Sequence, residues 1–415
     1  MKSFVEYSSN SDFSIHNIPF GVAVFDKEFI GCATRIGDQI IDLATLYDLG
    51  FFEGIKDLDD NIFEAYTLNE FIELGKPVTN AVRLKIQELL LEGSILSKDE
   101  KTIEEAFYDV DQVKMMMPVH IPNYTDFYSS IEHATNVGKM FRDPANALLP
   151  NWKHLPVGYH GRASSIVVSG TEINRPKGQT KPADADKPVF GPSKQLDFEL
   201  EMAFIVNKNT EMGESISTKD AEDAIFGMVV FNDWSARDIQ SWEYVPLGPF
   251  LAKNFGSSVS PWVVTLEALE PFKTTSPNQD PEVLDYLKFE GDKNYDINLE
   301  VYLQPENGEE NLISESNYKH MYWNMTQQLA HHTVNGCNVE VGDLYASGTI
   351  SGSDPKSFGS MLELTWRGQN PIALSNGEER KFIDDNDTVT MKAWAEKDGV
   401  RVGFGEVAGK IIPTK

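Results

Sequence analysis

The sequence predicts a mixed, mainly β protein with a small N-terminal domain and a larger C-terminal domain. Its 415 residues are too many for one ordinary core, so two domains are expected. Short apolar or alternating runs bounded by Gly, Pro, Asn and Asp recur along the chain, and such runs are typical of strands. They do not alternate with long helices, which argues against a parallel α/β architecture and favours a largely antiparallel one. We expect domains over residues 1–117 and 118–415, with the boundary at Pro118.

The N-terminal domain is predicted to be β-rich with helical additions. Strands are predicted over residues 21–25, 29–34 and 38–42, with an Asp26–Lys27 turn between the first two. Helices are predicted over residues 43–50, 78–91 and 104–108. The pair Thr67 and Glu70 has the spacing of a capping box, which predicts one more helix start at Thr67.

The C-terminal domain is predicted to contain most of the strands. They are expected over residues 165–169, 196–206, 224–231, 261–266, 297–303, 344–347, 361–366 and 388–394. The Asn307–Gly308 dipeptide between two alternating runs predicts a hairpin. Asn324 is predicted to cap a helix that extends to residue 332.

Charge and cysteine content restrict the partners and the compartment. A net charge of −28 argues against binding nucleic acid or an anionic membrane, because both need basic surface. An anionic substrate would therefore need local positive charge or a metal ion. Cys32 and Cys337 suggest no disulfide framework, and no stretch approaches 18 uninterrupted apolar residues. We expect a cytoplasmic protein without a secretory signal.

The run 124–142 contains a carboxylate, tyrosines, a histidine and an arginine. If the chain is helical from Asp126, that residue caps the helix and shares one face with Ser129 and His133. The alternative is an ordinary capped helix with a partly buried histidine.

Further carboxylates lie on two predicted strands. Alternation over residues 196–204 places Glu199 and Glu201 on one face, where like charges repel unless a cation or solvent separates them. Asp233 ends an apolar strand, where a helix is expected to start. Together with Asp126 these carboxylates form an oxygen-only set, which suits Ca²⁺, Mg²⁺ or Mn²⁺ better than zinc. The alternative is a solvent face of an acidic strand and a helix cap at Asn232 or Asp233.

Other polar residues are candidates for substrate contact. Lys253 lies in a segment rich in Gly, Pro and aromatic residues, and is either a surface lysine or a cation facing a substrate carboxylate or an oxyanion. The small residues of 345–352 form a turn that can approach a ligand closely, although tight turns are common. Glu363 lies in a predicted apolar strand and needs a partner if buried, for which His133 is our choice.

Several long motifs resemble those of the fumarylacetoacetate hydrolase family, in the same order. They are Asp126–Arg142, Gly161–Thr171, Asp197–Glu201, Asn232–Phe250, Ala346–Gly352 and Ser357–Glu363. The resemblance covers essentially the whole chain. It implies an SH3-like barrel as N-terminal domain, a β-roll as C-terminal domain and a homodimer. It also implies hydrolysis of a carbon–carbon bond in 4-fumarylacetoacetate to fumarate and acetoacetate, the last step of tyrosine and phenylalanine catabolism.

The resemblance also assigns roles to residues at matching positions. The implied Ca²⁺ ligands are Asp126, Glu199, Glu201 and Asp233, and His133 is the implied general base. The implied substrate-binding residues are Tyr128, Arg142, Tyr159, Gln240, Tyr244 and Thr349. A Mg²⁺ ion is implied near Asp233, Lys253 and Ser257, where the family motif has Thr in place of Ser257.

The chemistry explains why such groups are needed. Cleavage of a β-diketone releases an enolate, which a divalent cation chelated by the diketone oxygens would stabilise. A histidine, with an ordinary pKa of roughly 6.5, suits the deprotonation of water, and a hydrogen-bonded glutamate would fix its tautomer. Candidate donors to the tetrahedral oxyanion are Arg237, Gln240 and Lys253, and candidates for the substrate carboxylates are Arg142, Tyr128 and Tyr244.

Two other hypotheses are considered. A related hydrolase or decarboxylase of other 2-oxo acids or diketones is disfavoured by His133, by the N-terminal domain and by the run 242–250. A Ca²⁺-stabilised binding protein without turnover would need neither His133 nor Glu363.

Overall fold

The computed structural model describes residues 1–25, 29–182 and 184–415. It confirms the predicted mixed, mainly β fold, with a small N-terminal domain, a larger C-terminal domain and 22% helix. The predicted Asp26–Lys27 turn lies outside the described residues. Across the described ranges, no helix combines the length and the apolar character needed to cross a membrane.

The N-terminal elements form an antiparallel sheet with helices beside it. The strands are β1 (Phe20–Phe25), β2 (Phe29–Ile36), β3 (Gln39–Asp42), β4 (Phe107–Asp109) and β5 (Lys114–Met115), in the order β4-β3-β2-β1-β5. The helices are α1 (Leu43–Asp48), α2 (Asn69–Glu73), α3 (Lys76–Leu89) and α4 (Glu100–Ala106). Backbone hydrogen bonds in both directions between Phe20 and Val263, of 2.9 and 2.8 Å, attach β1 to the C-terminal domain.

The C-terminal domain contains most of the strands, as predicted. The strands are β6 (Tyr124–Phe127), β7 (Gly158–His160), β8 (Ile166–Val168), β9 (Ile173–Asn174), β10 (Lys177–Thr180), β11 (Val189–Pro192), β12 (Leu196–Asp197), β13 (Leu200–Val206), β14 (Ile225–Asp233), β15 (Ser235–Ala236), β16 (Ser257–Val259), β17 (Val264–Thr265), β18 (Lys273–Thr274), β19 (Asn294–Tyr295), β20 (Asn298–Gln304), β21 (Asn311–Asn317), β22 (Leu344–Ala346), β23 (Ile372–Ala373), β24 (Glu379–Arg380), β25 (Thr388–Lys397) and β26 (Val400–Ile412). The helices are α5 (Ile131–Phe141), α6 (Arg237–Glu243), α7 (Leu266–Leu269), α8 (Met325–Thr333) and α9 (Met361–Leu364).

Short 3₁₀ turns connect several of these elements. They are Leu96–Lys98, Pro144–Asn146, Ala163–Ser165, Glu222–Ala224, Glu270–Phe272, Asp285–Leu287, Tyr318–His320 and Pro355–Ser357.

Two larger sheets organise the C-terminal domain. One has the order β7-β6-β22-β13-β14-β16-β8, with β17 paired to β14, and the other has the order β21-β20-β25-β26-β9. Most pairs are antiparallel, as predicted, although β6 with β22, β8 with β16 and β9 with β26 are parallel. A buried apolar core that includes Leu200, Met202, Val230, Leu299 and Met391 joins the two sheets. The first sheet thus has one face in this core and brings the ends of β6, β13 and β14 together.

The prediction that Asp126 caps a helix is wrong. Asp126 lies inside β6, which pairs with β22 and β7. The helix begins five residues later, and Ser130 is its N-cap, accepting a hydrogen bond from the backbone N–H of His133. Asp126, Ser129 and His133 therefore do not share a helical face, because strand pairing takes up the backbone of residues 124–127.

The predicted strand over residues 361–366 is also wrong. Residues Met361–Leu364 form α9, and Ser360 caps it through its hydroxyl. The carboxylate of Asp197 accepts hydrogen bonds from the first two N–H groups of this helix, at 2.7 and 3.0 Å. An acceptor from a distant strand can stabilise so short a helix, and local sequence pattern does not reveal it.

Other boundaries differ for local reasons. The predicted strand 196–206 is interrupted between β12 and β13, and its acidic side chains are buried, so the solvent-face alternative is wrong. After Asp233 the chain forms β15 before α6 starts at Arg237, so the predicted cap at Asn232 or Asp233 is wrong. Thr67 makes no capping box, because α2 begins at Asn69 after Leu68. The strand predicted over residues 261–266 is shorter in the structure. It is β17, which ends at Thr265, the N-cap residue of α7.

Several local predictions are confirmed. Residues 43–50 contain α1, capped by Asp42, and Asn324 caps α8 with a capping box. The Asn307–Gly308 dipeptide lies in the turn of the β20–β21 hairpin. The helix expected at 104–108 starts earlier, as α4, and gives way to β4 at Phe107.

Candidate active site

The carboxylates predicted to hold a metal ion lie together at the ends of neighbouring strands. Asp126, Glu199, Glu201 and Asp233 are all buried, and each offers an oxygen atom within 4.8 Å of those of the others. The strand register explains the grouping. Ala346 of β22 pairs with Asp126 on one side and with Ala203 of β13 on the other. Glu201 of β13 in turn pairs with Phe231, two residues before Asp233.

The donor set fits a hard divalent cation. Asp126 Oδ1 and Glu201 Oε1 are buried without a hydrogen-bond partner among the described residues, and buried polar atoms rarely lack one. Burial, reinforced by repulsion from neighbouring carboxylates, raises the pKa of Asp126 and of Glu201 well above the usual range. Oxygen-only ligation by carboxylates suits Ca²⁺ and Mg²⁺. The cluster therefore suggests a divalent metal site.

Two basic side chains offset part of the negative charge. Lys253 Nζ lies 2.6 Å from Asp233 Oδ2 and also donates to Glu199 Oε2. Arg237 pairs with Glu199 Oε1 and with Asp197 Oδ2, each at 2.8 Å. Burial alone would raise the pKa of Glu199, but Lys253 and Arg237 outweigh it and hold that pKa below its usual range. Glu199 thus has two cationic partners, whereas Asp126 and Glu201 have none among the described residues.

Hydroxyl groups complete the surroundings of the cluster. Tyr159 donates from its hydroxyl group, which lies 2.8 Å from Asp233 Oδ2 and 3.2 Å from Asp126 Oδ2. Ser257 donates to Asp233 Oδ1 at 3.0 Å. Tyr124 donates to Asp126 Oδ2 at 3.2 Å, a contact that sequence reasoning missed. Its position two residues before Asp126 on one strand, hence on the same face, was the available signal.

A glycine turn brings a backbone donor to the same cluster. The N–H of Gly348 donates to Glu201 Oε2 at 2.9 Å. Gly348 has φ +78°, and a Cβ atom there would lie 2.2 Å from the carbonyl oxygen of Phe127. Only glycine allows this approach. The next residue, Thr349, has a buried hydroxyl without a hydrogen-bond partner among the described residues.

His133 and Glu363 form the predicted pair. Nδ1 of His133 lies 2.6 Å from Oε2 of Glu363, and both side chains are almost fully buried. The ring of Tyr128 contacts the His133 ring edge-to-face at 5.1 Å. Burial raises the pKa of Tyr128, and the charges of Glu363 and Glu199 add to that effect. Tyr128 therefore packs against the histidine of this pair.

The remaining predicted residues are less closely joined to the cluster. Gln240 Oε1 accepts a hydrogen bond of 3.1 Å from Arg237 and so lies beside it. The guanidinium of Arg142 donates to the backbone carbonyl of Ala147 at 2.6 Å, at the exposed end of α5. Tyr244 is 52% exposed after α6. No described contact connects Arg142 or Tyr244 to the carboxylates, so their predicted roles stay predictions.

Taken together, the fold and the site define a mainly β protein with a buried cluster of four carboxylates, which suits a divalent cation, and a buried histidine–glutamate pair. Such a combination suits a metal-dependent hydrolase. Two family models match the chain: "Fumarylacetoacetase N-terminal" over residues 16–118 and "Fumarylacetoacetate (FAA) hydrolase C-terminal" over residues 123–412. The chain belongs to the fumarylacetoacetate hydrolase family.

Curated relatives match over the full length. The chain is 52% identical to a fumarylacetoacetase of Dictyostelium discoideum over 422 residues, covering 100% of this chain and 98% of the relative. It is 52% identical to that of Homo sapiens over 416 residues, covering 99% of each. Among solved structures, a fumarylacetoacetate hydrolase of Exiguobacterium antarcticum matches with a TM-score of 0.53 at 18% identity, covering 95% of this chain and 99% of that one. At that identity the structure supports the fold alone.

Proposed function

We propose that this protein hydrolyses 4-fumarylacetoacetate to fumarate and acetoacetate, as part of tyrosine and phenylalanine breakdown. The observation that carries the proposal is the buried His133–Glu363 pair beside a cluster of four carboxylates. Relatives named fumarylacetoacetase, about half identical over the whole chain, support the choice of substrate.

His133 acts as the general base. Glu363 accepts a hydrogen bond from Nδ1, so the proton stays on that nitrogen and Nε2 is free to take a proton from water. The water oxygen bonds to the carbonyl carbon next to the fumaryl double bond, and the bond from that carbon to the methylene breaks. Its electron pair leaves as the enolate of acetoacetate. Protonated His133 then returns its proton to the methylene carbon, so atoms and charge balance.

The carboxylate cluster would hold the metal ion that this reaction needs. A divalent cation bound there supplies Lewis-acid polarisation of the diketone oxygens. We propose Ca²⁺ for the site formed by Asp126, Glu199, Glu201 and Asp233, because carboxylate-rich sites with several oxygen ligands suit it.

A second ion, Mg²⁺, is proposed near Asp233, Ser257 and Lys253. The Ser257 hydroxyl lies 3.0 Å from Asp233 Oδ1, so both oxygens could face one small ion. The Nζ group of Lys253 is positively charged and occupied by carboxylates, so only the backbone carbonyl of that residue could be a ligand.

Residues that contact the substrate are proposed as well. We propose that Arg237, Gln240 and Lys253 donate to the tetrahedral oxyanion, in support of which all three lie next to Glu199 or Arg237. The proposed substrate-binding residues are Tyr128, Arg142, Tyr159, Gln240, Tyr244 and Thr349. The buried Thr349 hydroxyl, unpartnered among the described residues, and the ring contact of Tyr128 with His133 support this set.

A homodimer, a cytoplasmic location and a domain boundary between residues 117 and 118 are also proposed. Exposed apolar side chains after α6, with Val245 at 66%, Leu247 at 96% and Phe250 at 68% exposure, support a protein interface. Cys32 and Cys337 are both unpaired, as expected in a reducing compartment. The chain between β5 and β6 supports the boundary, since residues 116–123 contain no strand or helix.

The proposed activity is tested by adding the purified protein, with Ca²⁺ and Mg²⁺, to 4-fumarylacetoacetate. The diketone absorbance should disappear, and fumarate and acetoacetate should appear in equal amounts. A metal-loaded, folded protein that leaves the diketone intact would refute the proposal. Leu247→Asp in the exposed segment tests the dimer by sedimentation velocity, where a wild-type monomer would exclude it.

A further inference from the structure

The buried carboxylate of Glu363 receives hydrogen bonds from three side chains besides His133. The hydroxyl of Ser351 lies 3.0 Å from each carboxylate oxygen, and that of Ser360 lies 2.9 Å from Oε2. The amide nitrogen of Asn136 lies 3.0 Å from Oε1. Each of these groups can donate a hydrogen, so the oxygens of Glu363 act as acceptors throughout.

This surrounding favours one protonation state of the pair. An ionised carboxylate accepts hydrogen bonds only, which requires the Nδ1 atom of His133 to carry the proton. Burial alone would raise the pKa of Glu363, but His133, Asn136 and Ser360 together hold it below its usual range. Glu363 therefore does not take the proton of the ring, and Nε2 stays an acceptor.

We propose that Asn136 is a positioning residue, which keeps Glu363 oriented toward His133. This inference rests on the proposed function of that pair. His133 and Asn136 lie three residues apart on one face of α5, so a single helix presents both groups to the two oxygens of Glu363. The two serines also stabilise the local backbone, since Ser360 caps α9 and the Ser351 hydroxyl accepts a hydrogen bond from the N–H of Gly359. The Asn136 side chain, by contrast, donates its hydrogen bond to Glu363 itself.

A cavity next to Asn136 determines whether water could replace its amide as a donor to Glu363. The cavity has a volume of about 240 Å³, and its lining includes Thr135, Asn136, Lys139 and Phe358. Asn136 both lines this cavity and donates a hydrogen bond to Glu363. A shorter side chain would let water reach Glu363 and replace the lost donor. A side chain of similar size without a donor would not.

The test compares Asn136→Leu and Asn136→Asp with the wild-type protein. Leu fills the space but donates nothing, and Asp has the same shape but places a second negative charge beside Glu363. In both variants kcat for 4-fumarylacetoacetate should fall at least about 10-fold while KM stays within about twofold, since partners that orient such groups typically contribute 10- to 100-fold. The downfield proton resonance of His133 Nδ1, assigned by its loss in His133→Ala, should shift or disappear.

Thr135→Ala is the matched control. Thr135 lines the same cavity but is not among the described side chains that donate a hydrogen bond to Glu363. It should keep wild-type kcat and resonance. Wild-type kcat in both Asn136 variants would overturn the inference, and so would a rise in KM with unchanged kcat. If Asn136→Leu does not fold, Asn136→Asp alone decides. An inactive wild-type protein would refute the proposed function instead, and the resonance would still test the Asn136 contact.

Discussion

Nδ1 of His133 lies 2.6 Å from Oε2 of Glu363, although 230 positions separate the two residues in the chain. Each belongs to the first turn of a helix that a serine caps, Ser130 for His133 and Ser360 for Glu363. Ser360 also forms an isolated β-bridge with Glu199, so the helix that carries Glu363 is attached to the carboxylate cluster. One set of backbone contacts thereby fixes the distance between the proposed base and the proposed metal site.

Removal of divalent cations should abolish activity, and Ca²⁺ or Mg²⁺ should restore it. Ca²⁺ should also raise the melting temperature, because it relieves repulsion between buried carboxylates. Asp126→Asn should lose this metal-dependent rise, since Asp126 Oδ1 has no other partner among the described groups. Calorimetry with and without Ca²⁺ measures the melting temperatures of the wild-type protein and of Asp126→Asn. A demonstrably metal-free protein with full activity would contradict the metal's role.

Lys253→Met should destabilise the protein by about 3–5 kcal/mol, because it leaves the buried carboxylate of Asp233 without a cationic partner among the described residues and leaves Glu199 with Arg237 alone. Activity should be lost as well. Urea denaturation measures the free energy of unfolding. Lys288→Met is a suitable control, because Lys288 pairs with exposed Asp285 at the surface and should contribute little. Equal effects of the two substitutions would contradict the account.

Gly348→Ala should weaken metal binding and lower stability by about 2 kcal/mol or more, the size expected for a strained left-handed residue. The added Cβ would lie 2.2 Å from the Phe127 carbonyl oxygen, so the N–H that donates to Glu201 must move. Isothermal titration with Ca²⁺ measures the affinity. Gly54→Ala has a similar φ of +85° with nothing near the new Cβ, and it should keep wild-type affinity. Unchanged affinity in Gly348→Ala would exclude this contact.

Asp343 predicts a pH dependence of stability. Burial raises its pKa from 3.8 to about 6, despite hydrogen bonds from Asn123 and from the Glu340 N–H. Between pH 3.8 and about pH 6, the Asp343 carboxyl keeps its proton in the folded state but has lost it in the unfolded state. This carboxyl therefore favours folding as the pH falls and opposes folding above about pH 6. Asp343→Asn removes this titrating carboxyl and its contribution to the pH dependence of stability. Relative to wild type, the variant should gain about 2 kcal/mol in unfolding free energy between about pH 4 and pH 7. A pH-independent difference between the two proteins would contradict this.

The sequence was sufficient for the fold class, for the grouping of the four carboxylates and for the pairing of His133 with Glu363. Strand alternation gave Glu199 and Glu201 a common face, and the need of buried Glu363 for a partner pointed to His133; the structure places both as expected. These inferences work because alternation and the penalty for unpaired buried charge are local consequences of chain geometry and burial.

Inferences that depended on distant partners failed. Asp126 looked like a helix cap, but pairing of residues 124–127 with β22 and β7 makes the segment a strand. Residues 361–364 looked like a strand, but Asp197 supplies acceptors to their N–H groups and stabilises a helix. Asn136 and Tyr124 were missed as neighbours of Glu363 and Asp126, because each contact required knowing which residue of the motif was buried and on which face.

The central claim is that His133 supplies the base while the carboxylates hold the metal, and one measurement separates the two. Turnover of 4-fumarylacetoacetate and bound metal are determined in the same samples of wild-type protein and His133→Ala. We expect equal metal content and a loss of kcat by a factor of roughly 10²–10⁴ or more in the variant. Wild-type turnover by His133→Ala would contradict the account.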